Sequence, residues 1–175
     1  MRALKPLSDS RRTMSSTLDP ERAAAHLPRL FRLAWSLCGS RHLAEELTQE
    51  AYARVLARPR RLRGVGEFAY LATTLRNVHA DHRRAAHRRP VPVAEPPAVP
   101  GGTSPEAALG ARELYAAIAA LPDPLREVVA TVDVAGATYA EAATSLKIPI
   151  GTVMSRLHRA RGKLVAALSE PAFAA

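Results

Sequence analysis

Four groups of residues have types and spacings that could do chemistry. The first is IGTVMSRLHRARGKL, starting at Ile150. At roughly 100° per residue, Val153, Leu157, Ala160 and Leu164 cluster on one side of a helix. Gly151, Ser155, His158, Arg159 and Gly162 fall opposite, flanked by Thr152, Met154, Arg156 and Lys163. No acid occurs from Lys147 to Leu168. Small residues let a helix approach a groove, and Arg and Ser donate to phosphates and base edges. The chemistry of this face is recognition of DNA; its bland alternative is a solvated basic face.

The second group is Arg76, Arg83, Arg84, Arg88 and Arg89, interleaved with Asn77 and preceded by Tyr70. A displaced DNA strand needs a cationic groove with amide or aromatic groups for its unstacked bases. The third group is Glu45, Glu46, Gln49 and Glu50, an acidic patch in a basic segment. Acids there repel DNA, so a protein partner fits better than nucleic acid. The fourth is His79 and His82, spaced as a ligand pair but lying among the arginines just named. Those cations oppose a metal ion, so none is expected. Cys38 is the single cysteine and sits beside Trp35 on an apolar stripe, which predicts a buried small hydrophobe. It also excludes an internal disulfide and an all-cysteine zinc site. With no Gly-rich phosphate loop, metal spacing or nucleophile elbow, no catalytic residue, cofactor or small-molecule substrate is expected.

The elements that must position these residues read as helices throughout. Leu27, Leu30, Phe31, Ala34, Trp35 and Cys38 follow helical spacing, Gly39-Ser40 ends that helix, and Ser40 can cap the next. Leu43, Leu47, Ala51, Val55 and Leu56 form a second stripe, stopped by Pro59. A third helix is expected from about Glu67 through Arg84, with Leu71, Leu75 and Val78 inward. Further on, Leu109 to Leu121 predicts a helix with Leu114, Ile118 and Leu121 on one side, and Pro122-Asp123-Pro124 breaks it. Leu125 to Val134 predicts the next, ended by Gly136. Thr138-x-x-Glu141 is a capping box, opening a short helix through Leu146. Lys147-Ile148-Pro149 then turns the chain into the basic helix, which completes a helix-turn-helix pattern.

The 175 residues carry a formal net charge of +9, with 47% hydrophobic and 23% charged residues. A chain this basic meets a polyanion. Residues 26–92 hold 13 basic and 5 acidic groups, whereas residues 105–175 hold 7 of each. Between them, RRPVPVAEPPAVPGGTSP concentrates prolines that exclude helix and central strand. It predicts a linker at 91–105 joining two small domains, 26–90 and 106–170, that move independently. Residues 1–25 read as an unstructured extension, and Met14 is as good a start as Met1. No run is long enough for a membrane span, and nothing before Pro20 resembles an export signal, so a cytoplasmic location is expected.

The motifs resemble one family. IGTVMSRLHRARGKL is similar to the recognition helix of the promoter-binding domain of bacterial sigma factors, LAEELTQEAYARVL to their acidic D-L-x-Q-E helix, and YLATTLRNVHADHRRAAHRR to their W-L-x-x-I-x-R-N segment. With two domains and a variable linker, the chain resembles the extracytoplasmic-function (group IV) sigma factors of the sigma-70 family over about residues 26–90 and 106–168. Glu46, Tyr70, Thr74, Ala142 and Lys147 depart from the family's usual residues. The resemblance implies an all-α fold with region 2 and region 4 domains. It implies promoter selection with core RNA polymerase and DNA opening. Glu46, Leu47, Gln49 and Glu50 would dock on the β′ clamp helices, with the β flap a second polymerase contact. Tyr70, Arg76, Asn77, Arg83 and Arg84 would bind the −10 element. Thr152, Met154, Ser155, Arg156, His158 and Arg159 would read the −35 element. An anti-sigma factor would hold the protein inactive. A stand-alone helix-turn-helix regulator explains the C-terminal motif but not the acidic helix; an RNA-binding module leaves the recognition helix unused.

Overall fold

Helices α1 (Pro20–Ala25) and α2 (Leu27–Cys38) lead to Gly39, whose φ of 68° ends α2 while its N–H donates to the Trp35 carbonyl at 2.8 Å. Ser40 then caps α3 (Arg41–Ala57), its Oγ accepting the Leu43 N–H at 3.3 Å. With α4 (Glu67–Arg88), these helices enclose a core of Leu30, Leu33, Trp35, Leu47, Val55, Phe68, Leu71, Leu75 and Val78. The computed structural model describes residues 16–18, 20–58, 61–62, 66–88 and 105–169.

Two expectations for this half need correction. Part of the 1–25 extension is ordered: β1 (Ser16–Thr17) pairs antiparallel with β2 (Arg61–Leu62), Ser16 opposite Leu62 and Thr17 opposite Arg61. Leu18, Leu62 and Ala23 are buried, and that burial anchors the segment. Residues 1–15 lie outside the described residues. The third helix also runs one turn past Arg84, to Arg88.

The second half comprises α5 (Pro105–Ala120), α6 (Asp123–Val129), a π-helical turn (Ala130–Val134), α7 (Tyr139–Leu146) and α8 (Ile150–Ser169). Its core is Ile118, Leu121, Leu125, Val128, Val129, Ala142, Val153, Leu157, Ala160 and Leu164. Helix α5 begins at Pro105, since proline is accepted where the first N–H groups have no helical partner. Leu114, expected inward, is 39% exposed. The expected helix over Leu125–Val134 widens at Ala130: the Ala135 N–H reaches the Ala130 carbonyl at 3.0 Å, five residues back. That wider turn presents Ala130, Ala135 and Ala137 to the core of the first half.

The two halves pack together in this structure. Helix α2 meets the π turn and α5, and α4 meets α7. Residues 89–104, which hold the expected linker, lie outside the described residues. Among the described residues, no helix is long and apolar enough to cross a membrane.

Candidate nucleic-acid interface

The capping box places the first helix of the motif. The Thr138 Oγ1 accepts the Glu141 N–H at 3.2 Å, and Glu141 Oε2 accepts the Thr138 N–H at 2.9 Å. Lys147 reverses the chain in the left-handed region, φ 55°, a conformation that costs a non-glycine residue roughly 1 kcal/mol. The Pro149 carbonyl then accepts from Thr152 and Val153 at 2.9 and 3.1 Å, which starts α8. Val153, Leu157, Ala160 and Leu164 point into the core. Gly151, Met154, Ser155, His158, Arg159 and Gly162 are exposed, while Thr152 and Arg156 are half-buried. The Arg159 Nε donates to the Ser155 carbonyl at 3.3 Å, and Arg159 pairs with no carboxylate among the described residues. Its neighbour Arg161 does: it grips Asp133 through two bonds of 3.1 and 2.6 Å, tying α8 to the π turn. The outward face thus keeps free donors beside an anchored helix, the arrangement a groove-reading helix needs.

The basic residues of α4 are placed less openly. Asn77 is exposed, Tyr70 half-buried against the first core. Arg76 has only 13% of its side chain exposed; its Nε donates to Glu127 Oε2 at 2.7 Å and its Nη2 bonds Thr131 Oγ1. Arg83 Nη1 lies 3.7 Å from Asp123 Oδ2, and Arg84 pairs with Asp81 on its own helix. Asp81 is held below the usual carboxylate range by its hydrogen bonds from Arg84 and Arg54. Arg76 and Asn77 line a cleft of about 390 Å³ that Lys147 and Arg156 line from the other half. Arg88 and Arg89 have no described side chains.

Helix α3 carries the acidic patch. Glu45, Glu46 and Gln49 are exposed; Glu50 is half-buried, 2.5 Å from Arg54 Nη2 and 3.4 Å from His82 Nε2. Leu47 is a correction: it is 0% exposed and belongs to the core, because it lies on the apolar stripe of α3 with Ala51 and Val55. It supports the patch from beneath and offers no surface to a partner. Next to the patch runs an apolar groove formed by Leu27, Pro28, Phe31, Thr48 and Tyr52.

Cys38 is half-buried, and burial pushes its thiol up, away from the thiolate form. His79 is lowered by burial between the halves, an effect partly offset by the Glu127 carboxylate. Among the described residues, no three His, Cys, Asp or Glu side chains are grouped to hold a metal.

Sequence reasoning missed Arg29 and Arg32. The Arg29 Nε donates to the Ala135 carbonyl at 3.0 Å, its Nη2 to Gly136 at 2.9 Å, and its guanidinium lies 3.8 Å over the Phe68 ring. The Arg32 Nε donates to the Val134 carbonyl at 3.0 Å. Their i, i+3 spacing on α2 reads as a solvated face, so the only signal was charge. Trp35 stacks on Tyr115 of α5, ring centroids 5.2 Å apart.

Residues 23–89 match the family described as Sigma-70 region 2, and residues 111–164 match Sigma-70, region 4. The ECF RNA polymerase sigma factor SigE of Mycolicibacterium smegmatis is 34% identical over 149 residues, 79% of this chain and 57% of that protein. The chain thus spans little more than half the length of that relative. EcfG of Rhodopseudomonas palustris, also an ECF RNA polymerase sigma factor, is 35% identical over 171 residues, 93% of this chain and 87% of that one. Among solved structures, the sigma factor RpoE in complex with the anti-sigma factor NepR from Bartonella quintana superimposes with a TM-score of 0.69 at 25% identity, covering 86% of this chain and 96% of that one. CnrH, solved with the cytosolic domain of CnrY, shares the fold at a TM-score of 0.60 and 22% identity, over 85% of each chain. With both regions matched in order, and with the helix-turn-helix built as the family's resemblance implied, this chain belongs to the extracytoplasmic-function sigma factors of the sigma-70 family.

Proposed function

We propose that the chain is a transcription initiation factor that binds core RNA polymerase, brings it to promoters by their −10 and −35 elements, and promotes DNA opening. The observation that carries this reading is the acid-free outer face of α8, exposed at Ser155, His158 and Arg159 and backed by buried Val153, Leu157 and Leu164. These three residues read the −35 element, with Thr152, Met154 and Arg156 alongside. Tyr70, Arg76, Asn77, Arg83 and Arg84 hold the opened −10 strand, phosphates by the arginines and a base by Asn77. Glu46, Gln49 and Glu50 dock on the β′ clamp helices, and the domain of residues 106–170 meets the β flap. The factor works in the cytoplasm and performs no catalysis; the polymerase supplies the chemistry. The sigma factor RpoE, of similar fold, was solved with the anti-sigma factor NepR, which supports control of this chain by an anti-sigma protein.

Reconstitution tests the reading. Purified core polymerase plus this protein should start transcripts from a cognate promoter, and neither component should do so alone. Tight duplex binding without polymerase, and no transcript with it, would favour a stand-alone regulator.

A further inference from the structure

The closed packing of the two halves has a chemical content of its own. Two of the arginines assigned to the −10 strand face carboxylates of α6. Arg76 is paired with Glu127 at 2.7 Å, and Arg83 stands 3.7 Å from one oxygen of Asp123, whose other oxygen bonds Arg126 of its own helix. The Thr131 hydroxyl completes the socket around Arg76. A carboxylate satisfies a guanidinium as a phosphate does, with the same fork geometry. The charge distribution fits: residues 26–92 hold an excess of 8 positive charges, while the half that covers them is balanced. Glu46 and Gln49 remain exposed in the same arrangement.

We propose that α6 is an internal DNA mimic: Glu127 and Asp123 occupy the strand-binding arginines in the free protein, so that the closed chain can dock on polymerase but cannot hold an opened strand. Docking comes first, separation of the halves second, and strand capture third. This rests on the assignment of Arg76 and Arg83 to the −10 strand. The latch is weak enough to release, since Arg83 and Asp123 are both more than half exposed and their attraction is screened by salt.

The chain contains its own reporter. Trp35 is the single tryptophan, and it is buried against Tyr115 of the covering half. In the full-length double variant Asp123→Asn/Glu127→Gln, Trp35 emission should move to longer wavelength and its quenching by acrylamide should rise about threefold. Affinity for a fluorescent single-stranded −10 oligonucleotide should rise about tenfold, because a state that binds only when open gains in proportion to the open fraction. Glu113→Gln is the charge control for the single Asp123→Asn variant: it also removes one carboxylate from the second half, at an exposed position on α5. It should leave both readouts unchanged. Asp123 is 60% exposed, so Asp123→Asn alone, checked by circular dichroism, provides a variant whose fold is not at stake; it should move both readouts in the same direction, by less.

Unchanged emission and unchanged affinity in the double variant would overturn the latch. The strand assignment would then stand or fall separately on Arg76→Ala in polymerase-driven opening. Shifted emission without a gain in affinity would overturn both the mimicry and the assignment of these arginines. An equal gain in Glu113→Gln and Asp123→Asn would reduce the effect to net charge and overturn the latch as well.

Discussion

At the scale of single residues, neighbours on α8 do opposite work. Arg159 is exposed and free of carboxylates, whereas Leu157 is 2% exposed in the second core. Arg159→Ala should cost about 1–3 kcal/mol and relax preference at one −35 position if it reads a base. Binding measured across single-base promoter variants checks this; equal loss on every sequence would mark a phosphate contact. Leu157→Ala should cost about 2–5 kcal/mol of stability by denaturant melting and unfold the second half without changing base preference. His79 gives a pH dependence. Burial lowers it from its ordinary value of 6.5, with Arg83, Arg126 and His82 acting in the same sense and Glu127 against. The closed state therefore binds fewer protons than the opened chain. Its stability is intact above about pH 6.5 and falls as the pH drops below that, levelling off under the lowered value. Trp35 emission followed from pH 8 to pH 5 should show this loss, and His79→Gln should flatten it.

At the scale of elements, two helices depend on what lies under or before them. The capping box holds α7, and Glu141 Oε2 also lies 3.4 Å from Arg29 Nη2, so a local signal is joined to the packing of the halves. Thr138→Ala should cost about 0.5–2 kcal/mol by denaturant melting, and should weaken −35 binding because α8 is positioned by α7. On α3, the partner surface is one face only. Changing Glu46, Gln49 and Glu50 together to Ala should weaken core polymerase binding by about tenfold or more while circular dichroism stays unchanged. Leu47→Ala, by contrast, should act through stability, since its side chain lies in the core.

At the scale of the whole molecule, the π turn is the keystone. Widening the helix at Ala130 aims the carbonyls of Val134, Ala135 and Gly136 at α2, where Arg29 and Arg32 donate to them. It also inserts three alanines into the first core, where small side chains permit close approach. Arg29→Met keeps the stem and removes the donors and the contact over Phe68. It should destabilise the closed chain by about 1–3 kcal/mol, read as a melting temperature lower by a few degrees, and Trp35 should become more exposed.

Local chemistry determined most of the elements. The αL glycine at 39, the Ser40 cap, the Thr138–Glu141 box and the apolar stripes of α2, α3, α4 and α8 act over a few residues, so spacing alone marks them. The face of α8 followed from the same periodicity, and the acidic and basic patches from residue type. Which residues are reachable was another matter. Leu47 shares the acidic segment but lies on its inner side. Arg76 lies in a basic run but faces Glu127, a residue 51 positions away, and Leu18 is anchored by a pairing with a segment more than 40 residues on. Leu114 kept its helical position yet lost its expected cover. Pairings of this kind leave no periodic trace, because a long-range contact depends on where two elements meet, and charge alone does not say whether a guanidinium meets water, phosphate or a carboxylate of its own chain. The sequence by itself determined the helices, their caps and the chemistry each face could do; the tertiary structure decided which of those faces are covered, because only the packing of the two halves brings their opposite charges within bonding distance.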